Sequence, residues 1–237
     1  MKSQLPTLIY EKSLWEKGYL VIGIDEVGRG PLAGPLLLAG VVFNPAVNKK
    51  EIAILESLGI NDSKKLTAKK RKKLDKIIKN QALTTAFATA SPIKIDKLGL
   101  TKCTEIAVRK IVSSIMYKVS CTKNNNPKIL NTKYLIPNTK YFVLIDAFSI
   151  KYIKGIGLKN QKGIIRGDQK CFSIAAASVI AKVKRDSLME KTSTQFPEYN
   201  FAQNKGYGTK AHIQALQQHG PCPLHRKTFL DKSNKKT

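Results

Sequence analysis

The chain has 237 residues, of which 42% are hydrophobic, and this length supports one full core rather than two. Because the apolar residues are spread along the sequence, the composition excludes an intrinsically disordered protein. Lysine and arginine number 42 against 16 acidic residues, a formal net charge of +26. A surplus of this size attracts polyanions, which favours nucleic acid as a partner and an anionic membrane second; the alternative is that lysine is simply abundant on solvated faces.

The four cysteines lie far apart and form no C-x-x-C pair, which argues for reduced thiols and against a disulfide framework or zinc ribbon. Cys222 and His225 are close in sequence, but their flanks supply no further zinc ligands. Charged residues between Lys2 and Lys17 occupy the place where a signal peptide needs an apolar run. The longest apolar stretch, residues 30–43, is too short to span a bilayer. We therefore expect a cytoplasmic protein without a membrane segment, and no obligate protein partner is evident.

The first half of the chain predicts two adjacent strands, a basic helix and a further strand. Residues 19–27 and 36–43 are dense in β-branched and aliphatic side chains, and the glycines and prolines of residues 28–35 predict a tight turn between them. Thr67 precedes a lysine-rich run with apolar residues on one face, which predicts a capped helix with a basic outer side. A strand is predicted over residues 83–90.

The second half predicts helices around one more strand. Apolar residues recur at helical spacing from residue 101 to residue 119, which indicates an amphipathic core helix. Residues 121–140 are rich in Asn, Lys, Thr and Pro, which indicates a long exposed connection. A short strand over residues 141–145 ends at Asp146. The small residues between 174 and 189 predict a helix that approaches a sheet closely. Strands and helices intermix, so the predicted class is α/β.

Acidic residues close three apolar elements, at Asp25-Glu26, Asp146 and Asp168. In a protein with few acids, four carboxylates on core elements predict a Mg²⁺ or Mn²⁺ site, because hard cations prefer oxygen ligands. Two such ions could clamp the attacking and leaving oxygens of a phosphodiester. The alternative is that each acid caps a helix or pairs with one of the many basic residues.

The segment GIDEVGRGPLAGP at residues 23–35 closely resembles the opening signature of the ribonuclease HII family. Further segments match that family in the same order. They are DSKKL at residues 62–66, Ile145-Asp146, Gly167-Asp168 with the run that follows from Ser173 to Asp186, and NKGYGT at residues 204–209 with His212 and the later His225-Arg226. The resemblance covers roughly residues 17 to 230.

This resemblance implies a ribonuclease H-like fold, in which helices flank a mixed central sheet and a small helical appendage follows at the carboxyl end. The implied organisation is a catalytic domain over residues 17–190, a substrate-binding appendage over residues 191–230 and a basic tail over residues 231–237. The implied partners are RNA–DNA hybrids and DNA with embedded ribonucleotides. The implied activity is cleavage of the RNA strand and incision at the embedded ribonucleotide, leaving 5′-phosphate and 3′-hydroxyl ends.

By similarity, Asp25, Glu26, Asp146 and Asp168 correspond to the catalytic and metal-binding acids of the family, with two Mn²⁺ or Mg²⁺ ions in the active complex. In that scheme Asp25 bridges the two ions. Asp168 helps to hold the ion that activates water, while Glu26 and Asp146 serve the ion at the leaving group.

The resemblance also assigns substrate-binding residues. The Gly28-Arg29-Gly30 backbone is expected to approach a sugar closely enough to sense its 2′-hydroxyl. Tyr207 is expected to stack on the following sugar at an RNA-to-DNA junction. Lys64, Lys182 and Arg185 are expected to contact phosphates. The alternatives are a plain glycine hairpin, an ordinary core tyrosine and solvated surface charges.

The sequence departs from the family at Ala147, where the family often has glycine, and the 121–140 connection is longer than usual. Because alanine is small, we expect little catalytic consequence. Two rival functions remain open: a non-catalytic nucleic-acid-binding protein, and a different nuclease of the same fold, either of the HIII type or a DNA-cutting recombinase-like enzyme. The Gly28-Arg29-Gly30 tripeptide favours the HII type over HIII.

Overall fold

A computed structural model describes residues 5–47, 49–60, 63–121 and 139–233. The predicted connection over residues 121–140 lies almost entirely outside these ranges. Asp62 and the last four residues of the basic tail also lie outside them.

Five strands and eight α-helices form within the described residues. The strands are β1 (Tyr19–Val27), β2 (Leu36–Val42), β3 (Thr84–Ala90), β4 (Lys140–Asp146) and β5 (Gln161–Ile164). The helices are α1 (Ile9–Trp15), α2 (Lys49–Ser57), α3 (Ala68–Gln81), α4 (Pro92–Cys121), α5 (Phe172–Ser193), α6 (Phe201–Asn204), α7 (Lys210–His219) and α8 (Lys227–Ser233).

The strands form one mixed sheet in the order β3-β2-β1-β4-β5. β1 pairs with β2, and β2 with β3, in antiparallel fashion, whereas β1 with β4 and β4 with β5 are parallel. Ile24 of β1 stands opposite Ile145 of β4, so the residues that follow them, Asp25 and Asp146, lie at the same end of neighbouring strands. The predicted α/β class and mixed central sheet are confirmed.

The sheet carries a separate apolar core on each face. α4 packs on one face against alternate residues of β1, including Leu20, Ile22 and Ile24, and α5 with α1 and α3 packs on the other. A β-carbon at Gly23 would collide with Ser173 of α5, so this glycine permits the close helix–sheet approach that the small residues of α5 predict. Because strand side chains alternate between faces, Asp25 lies on the α5 side of β1.

The predicted helices and strands are found, with corrections at their ends. Thr67 caps α3 by accepting a hydrogen bond from the Lys70 amide at 3.3 Å. The helix predicted from residue 101 begins at Pro92 and is interrupted at Gly99, whose φ of 76° breaks the helical path. The short elements α1, α2 and β5 were not predicted, because a few residues carry little periodicity.

Residues 28–35, the glycine loop, form an eight-residue connection rather than the predicted tight turn. A third small core joins this loop to the carboxyl-terminal helices, and its buried residues are Ala33, Met189, Tyr199, Phe201 and Ala215. The predicted boundary at residues 190 and 191 falls in the last turn of α5, and the division into domain and appendage stays a prediction. Within the described ranges, no helix combines the length and apolar character needed to cross a membrane.

Candidate active site

One cleft of about 610 Å³ lies at the ends of β1 and β4, and ten of the eleven predicted site residues line it. They are Asp25, Glu26, Gly28, Arg29, Gly30, Lys64, Asp146, Asp168, Lys182 and Tyr207. The exception is Arg185. The cleft also contains Val27, Ser63, Arg71 and Ser178, which sequence reasoning did not assign to the site.

Neighbouring elements bring four carboxylates, the acidic cluster, to this cleft. Asp25 and Glu26 are consecutive near the end of β1, and Asp146 is the last residue of β4. Asp168 lies in a 3₁₀ turn, Gly167–Gln169, that follows β5. The Gly167 amide donates a hydrogen bond to Oδ1 of Asp146 at 2.8 Å, so the Asp146 carboxylate holds the turn that carries Asp168.

The acidic cluster carries negative charge that the protein compensates only in part. Burial, followed by the nearby charges of Glu26 and Asp146, raises the pKa of Asp25 well above its ordinary value, although a hydrogen bond from Ser178 opposes the shift. Burial likewise raises the pKa of Glu26 to about 7, against the lowering influence of Arg29. The buried Oε2 of Glu26 makes no hydrogen bond within the described part of the chain. A cation beside these oxygens would remove the electrostatic cost.

Among the described residues, no three His, Cys, Asp or Glu side chains form by themselves a group that could hold a metal ion. Mg²⁺ in nucleotide enzymes commonly takes one or two carboxylates and completes its shell with water and substrate phosphate oxygens. The acidic cluster fits this open arrangement, because it offers the buried carboxylate of Asp25 and an oxygen of Glu26 without a hydrogen-bond partner among the described residues, rather than a closed protein cage.

Basic side chains line the remainder of the cleft. Nη1 of Arg29 lies 3.6 Å from Oε1 of Glu26 and donates to the Thr104 hydroxyl at 3.3 Å. Nζ of Lys182 is paired with Asp186 at 2.8 Å. These contacts hold two cations beside the acidic cluster, and they compensate its negative charge only in part.

Arg71 and the two serines were missed because their roles depend on tertiary contacts. Arg71 of α3 donates to the Ser63 carbonyl at 2.8 Å and thereby fixes the turn that carries Lys64. The hydroxyls of Ser178 and Ser63 are hydrogen-bonded at 3.0 Å. A serine interrupting the alanine run of α5 was the available sequence signal for Ser178.

The prediction that Arg185 contacts phosphates is wrong. Its side chain is fully buried, and its guanidinium donates to the carbonyls of Ala33, Pro35 and Lys205 at 3.2, 3.0 and 2.9 Å. Residues three apart lie on the same face of a helix, but Arg185 is almost one turn further along α5 than Lys182 and meets the carbonyls of the glycine loop instead of the cleft. Arg185 therefore supports the loop from below.

The two glycines of Gly28-Arg29-Gly30 differ in what they tolerate. Gly28 has a φ of +90°, and a β-carbon there would collide with the Arg185 side chain, so this position requires glycine. A β-carbon at Gly30 would meet only Cε1 of Tyr207, at an ordinary 3.9 Å. An alanine at position 30 therefore fits the free protein and would protrude into the cleft.

Tyr207 lies at the rim of the cleft with 41% of its surface exposed, so it is not the ordinary core tyrosine of the alternative reading. The preceding residue, Gly206, accepts hydrogen bonds through its carbonyl from the amides of Leu32 at 2.8 Å and Ala33 at 3.2 Å. The tyrosine is therefore tied to the glycine loop by backbone bonds.

Ala147, where the family often has glycine, lies in an unfavourable backbone conformation. It adopts a φ of 67°, a left-handed conformation that glycine reaches without strain and alanine does not. The expectation based on size alone therefore missed a cost in stability beside Asp146.

The fold that carries this cleft is shared with solved ribonuclease H structures. The ribonuclease H2 of Pyrococcus horikoshii OT3 superposes with a TM-score of 0.63 at 24% identity, over 91% of this chain and 97% of that chain. Bst-RNase HIII, solved in complex with Mn²⁺, gives a TM-score of 0.62 at 19% identity, over 91% of this chain and 68% of that chain. At these identities the likeness concerns the fold alone, and it shows a ribonuclease H-like fold.

Sequence comparison identifies the family. The family model for Ribonuclease HII matches residues 22–232. Ribonuclease HII of Caldanaerobacter subterraneus subsp. tengcongensis is 40% identical over 224 residues, which are 94% of this chain and 79% of that protein. The chain belongs to the ribonuclease HII family and is an endoribonuclease.

Proposed function

We propose that this enzyme hydrolyses the RNA strand of RNA–DNA hybrids and also incises duplex DNA at single embedded ribonucleotides, leaving 5′-phosphate and 3′-hydroxyl ends. One observation carries the proposal: the acidic cluster, the glycine loop and Tyr207 line the same cleft. Groups suited to phosphodiester cleavage thus lie beside groups suited to reading a sugar.

Asp25, Glu26, Asp146 and Asp168 would hold the divalent cations, Mn²⁺ or Mg²⁺, with two ions in the active complex. The raised pKa values of Asp25 and Glu26 and the unsatisfied Oε2 of Glu26 support this assignment, as does the Mn²⁺ bound to Bst-RNase HIII. When bound, such ions activate water and stabilise the charge on the leaving oxygen.

The other side chains of the cleft bind and orient the duplex. Lys64 and Lys182, which line the cleft, would attract backbone phosphates into it, and the net charge of +26 would speed the encounter. The Gly28-Arg29-Gly30 backbone approaches the 2′-hydroxyl, and the exposed ring of Tyr207 stacks on the next sugar. Together these contacts would place the bond on the 5′ side of a ribonucleotide against the acidic cluster.

The deciding experiment compares a uniform RNA–DNA hybrid with a DNA duplex that carries one ribonucleotide, each assayed with Mg²⁺ and with Mn²⁺. We expect cleavage of both substrates, dependence on added cation, and 5′-phosphate and 3′-hydroxyl termini. Glu26→Gln should be inactive, and the surface variant Glu56→Gln, in a salt bridge with Lys12, is the matched control. Cleavage in the presence of EDTA, or 3′-phosphate ends, would contradict the proposed chemistry.

We also propose that the reaction takes place in the cytoplasm without an obligate protein partner. Cleavage by the purified chain without added protein supports the absence of an obligate partner, and activity that requires a cell extract contradicts it. Fractionation of cells tests the cytoplasmic location.

A further inference from the structure

A buried pair of histidines lies behind the cleft. His212 of α7 and His225, which precedes α8, are 0% and 3% exposed, and their Nε2 atoms lie 3.0 Å apart. Their rings pack edge-to-face against Tyr199 and Phe201. Neither histidine lines the cleft that holds the acidic cluster, so the proposed cleavage gives them no direct part.

The hydrogen bonds around this pair determine which nitrogens carry protons. The Cys222 amide donates to Nδ1 of His225 at 2.9 Å, so that nitrogen accepts and Nε2 of His225 bears the hydrogen. His225 then donates to Nε2 of His212, and Nδ1 of His212 donates to the Tyr207 carbonyl at 2.8 Å. The result is a one-directional chain of hydrogen bonds that runs from the Cys222 backbone to Tyr207.

The chain requires both rings to be neutral, because a charged ring would direct a second N–H against its neighbour. Burial lowers the pKa of His212. Burial, followed by the proximity of His212, lowers the pKa of His225 to about 4. At neutral pH the protein therefore keeps the arrangement that the chain needs.

The residue after His225 holds the glycine loop. Arg226 is fully buried, and its guanidinium donates to the carbonyls of Gly28 at 2.6 Å, Arg29 at 3.1 Å and Gly34 at 3.0 Å. Its own amide donates to the Leu32 carbonyl at 2.8 Å. Two consecutive residues thus contact the two elements that would bind the substrate sugars. His225 reaches Tyr207 through His212, and Arg226 bonds directly to the glycine loop.

We propose that His212, His225 and Arg226 are positioning residues that set the separation between the Tyr207 ring and the Gly28-Arg29-Gly30 backbone, and hence the selectivity for a single embedded ribonucleotide. The inference rests on the proposed function in one respect, that these two elements contact the substrate sugars. A single ribonucleotide offers one 2′-hydroxyl and one junction, so two groups must meet it together at a fixed spacing. A continuous RNA strand offers many registers and depends less on that spacing.

Two variants of His212 separate hydrogen bonding from packing. His212→Phe keeps a ring against Tyr199 and Phe201 but loses the donor to the Tyr207 carbonyl. His212→Asn loses the ring but places an amide donor near the position of Nδ1. We expect His212→Phe to lower the ratio of embedded-ribonucleotide cleavage to uniform-hybrid cleavage about tenfold, and His212→Asn to restore most of it. A purely structural role predicts the reverse order, because phenylalanine packs better.

A double-mutant cycle with Tyr207→Ala tests whether His212 acts through the tyrosine. If it does, His212→Phe should lower the substrate ratio no further once the Tyr207 ring is gone. Effects that multiply in the double variant would overturn the assignment. If Tyr207→Ala alone leaves the ratio unchanged, the proposed function of Tyr207 fails, and the next measurements still decide the positioning role.

Two measurements on the free protein do not depend on activity. Amide hydrogen exchange of residues 204–209 should increase in His212→Phe and stay near the wild-type rate in His212→Asn. Long-range proton–nitrogen NMR of the wild-type protein needs no variant, and it should find hydrogen on Nε2 of His225 and on Nδ1 of His212 at pH 7. Unchanged exchange in His212→Phe, or the opposite tautomers, would remove the basis of the proposal.

Discussion

The two sides of the cleft differ in how their buried charges are compensated. On the acidic side, Asp25 and Glu26 lie buried beside like charge, and one oxygen of Glu26 lacks a hydrogen-bond partner among the described residues. On the loop side, the buried guanidiniums of Arg185 and Arg226 are surrounded by backbone carbonyls. The folded chain by itself completes the loop side, whereas in the proposed function the acidic side would be completed by bound cations. If the proposed function holds, recognition geometry is built by folding and catalytic geometry is completed when the cations bind.

The largest expected effect comes from removing a charge on the acidic side. Asp25→Asn should reduce cleavage about a thousandfold or more, equal to ~4 kcal/mol, because a neutral amide cannot balance bound cations. Hybrid binding should remain largely intact. In EDTA the variant should melt at a higher temperature than the wild type, since it relieves repulsion with Glu26 and Asp146. Cleavage at a near wild-type rate would remove Asp25 from the site.

Gly30→Ala tests the loop side without disturbing its support. Since the new β-carbon meets only Cε1 of Tyr207 at 3.9 Å, the melting temperature should not change. Displacing the sugar should nevertheless reduce cleavage about a hundredfold, the scale of a misplacement near 1 Å. Gly157→Ala, where a β-carbon meets nothing within 4 Å, is the matched control. Equal activity of the two variants would contradict close sugar approach at residue 30.

The two sides should respond to pH in opposite directions in the absence of divalent cations. The pKa of Glu26 rises on folding from 4.5 to about 7, so its stabilising contribution is present below pH 4.5 and is lost as pH rises through 7. The pKa of His225 falls from 6.5 to about 4, so its contribution is present above pH 6.5 and is lost as pH falls through 4. Each contribution is at most ~3 kcal/mol.

Melting curves between pH 4 and 8 test this opposition in three proteins. Glu26→Gln should remove the loss of stability at higher pH, and His212→Phe should weaken the loss at lower pH by removing the ring that raises the cost of charging His225. Saturating Mg²⁺ should reproduce the effect of Glu26→Gln. The same pH profile in all three proteins would contradict the assignment of these groups.

Tyr207→Ala should have a smaller effect that depends on the substrate. Loss of stacking is worth roughly 1–3 kcal/mol, on the scale of base–aromatic contacts. Cleavage at a single embedded ribonucleotide should fall by that amount, and cleavage of a uniform hybrid should fall less. Tyr152→Ala, which removes an exposed tyrosine outside the cleft, is the control. An equal loss on both substrates would reduce Tyr207 to a supporting role.

The smallest effect is expected at Ala147, which follows Asp146 of the acidic cluster. Ala147→Gly should stabilise the protein by about 0.5–1 kcal/mol, because it relieves a left-handed conformation and loses part of that gain to the greater flexibility of the unfolded chain. Denaturant unfolding measures the change, and cleavage rates should stay close to wild type. Destabilisation would show that the alanine methyl group contributes packing that outweighs the strain.

The acidic cluster and most of the cleft could be predicted from the sequence, because the acids follow directly on apolar strands and the motifs occur in the same order as in the family. β1 and β4 are visible as apolar runs, and the carboxylates follow directly from them. The error at Arg185 had a tertiary cause, since the sequence of α5 does not reveal which of its residues lies under the glycine loop. The histidine pair was likewise out of reach, because α7 and the segment before α8 meet only in the folded chain. At position 147 the residue type is visible in the sequence, but its φ angle is not.

The carbonyl contacts of Arg226 have one more stereochemical consequence. In a trans peptide unit the C=O and the N–H of the next residue point in opposite directions. Because Arg226 draws the carbonyls of Gly28 and Arg29 inward, the amides of Arg29 and Gly30 are turned away from it, with their positive dipole ends outward. The polarity of this stretch of backbone is thus determined by a side chain almost 200 positions later. Transplanted without that arginine, the same tripeptide could flip its peptide planes and present oxygen where an oxygen-rich ligand requires a donor.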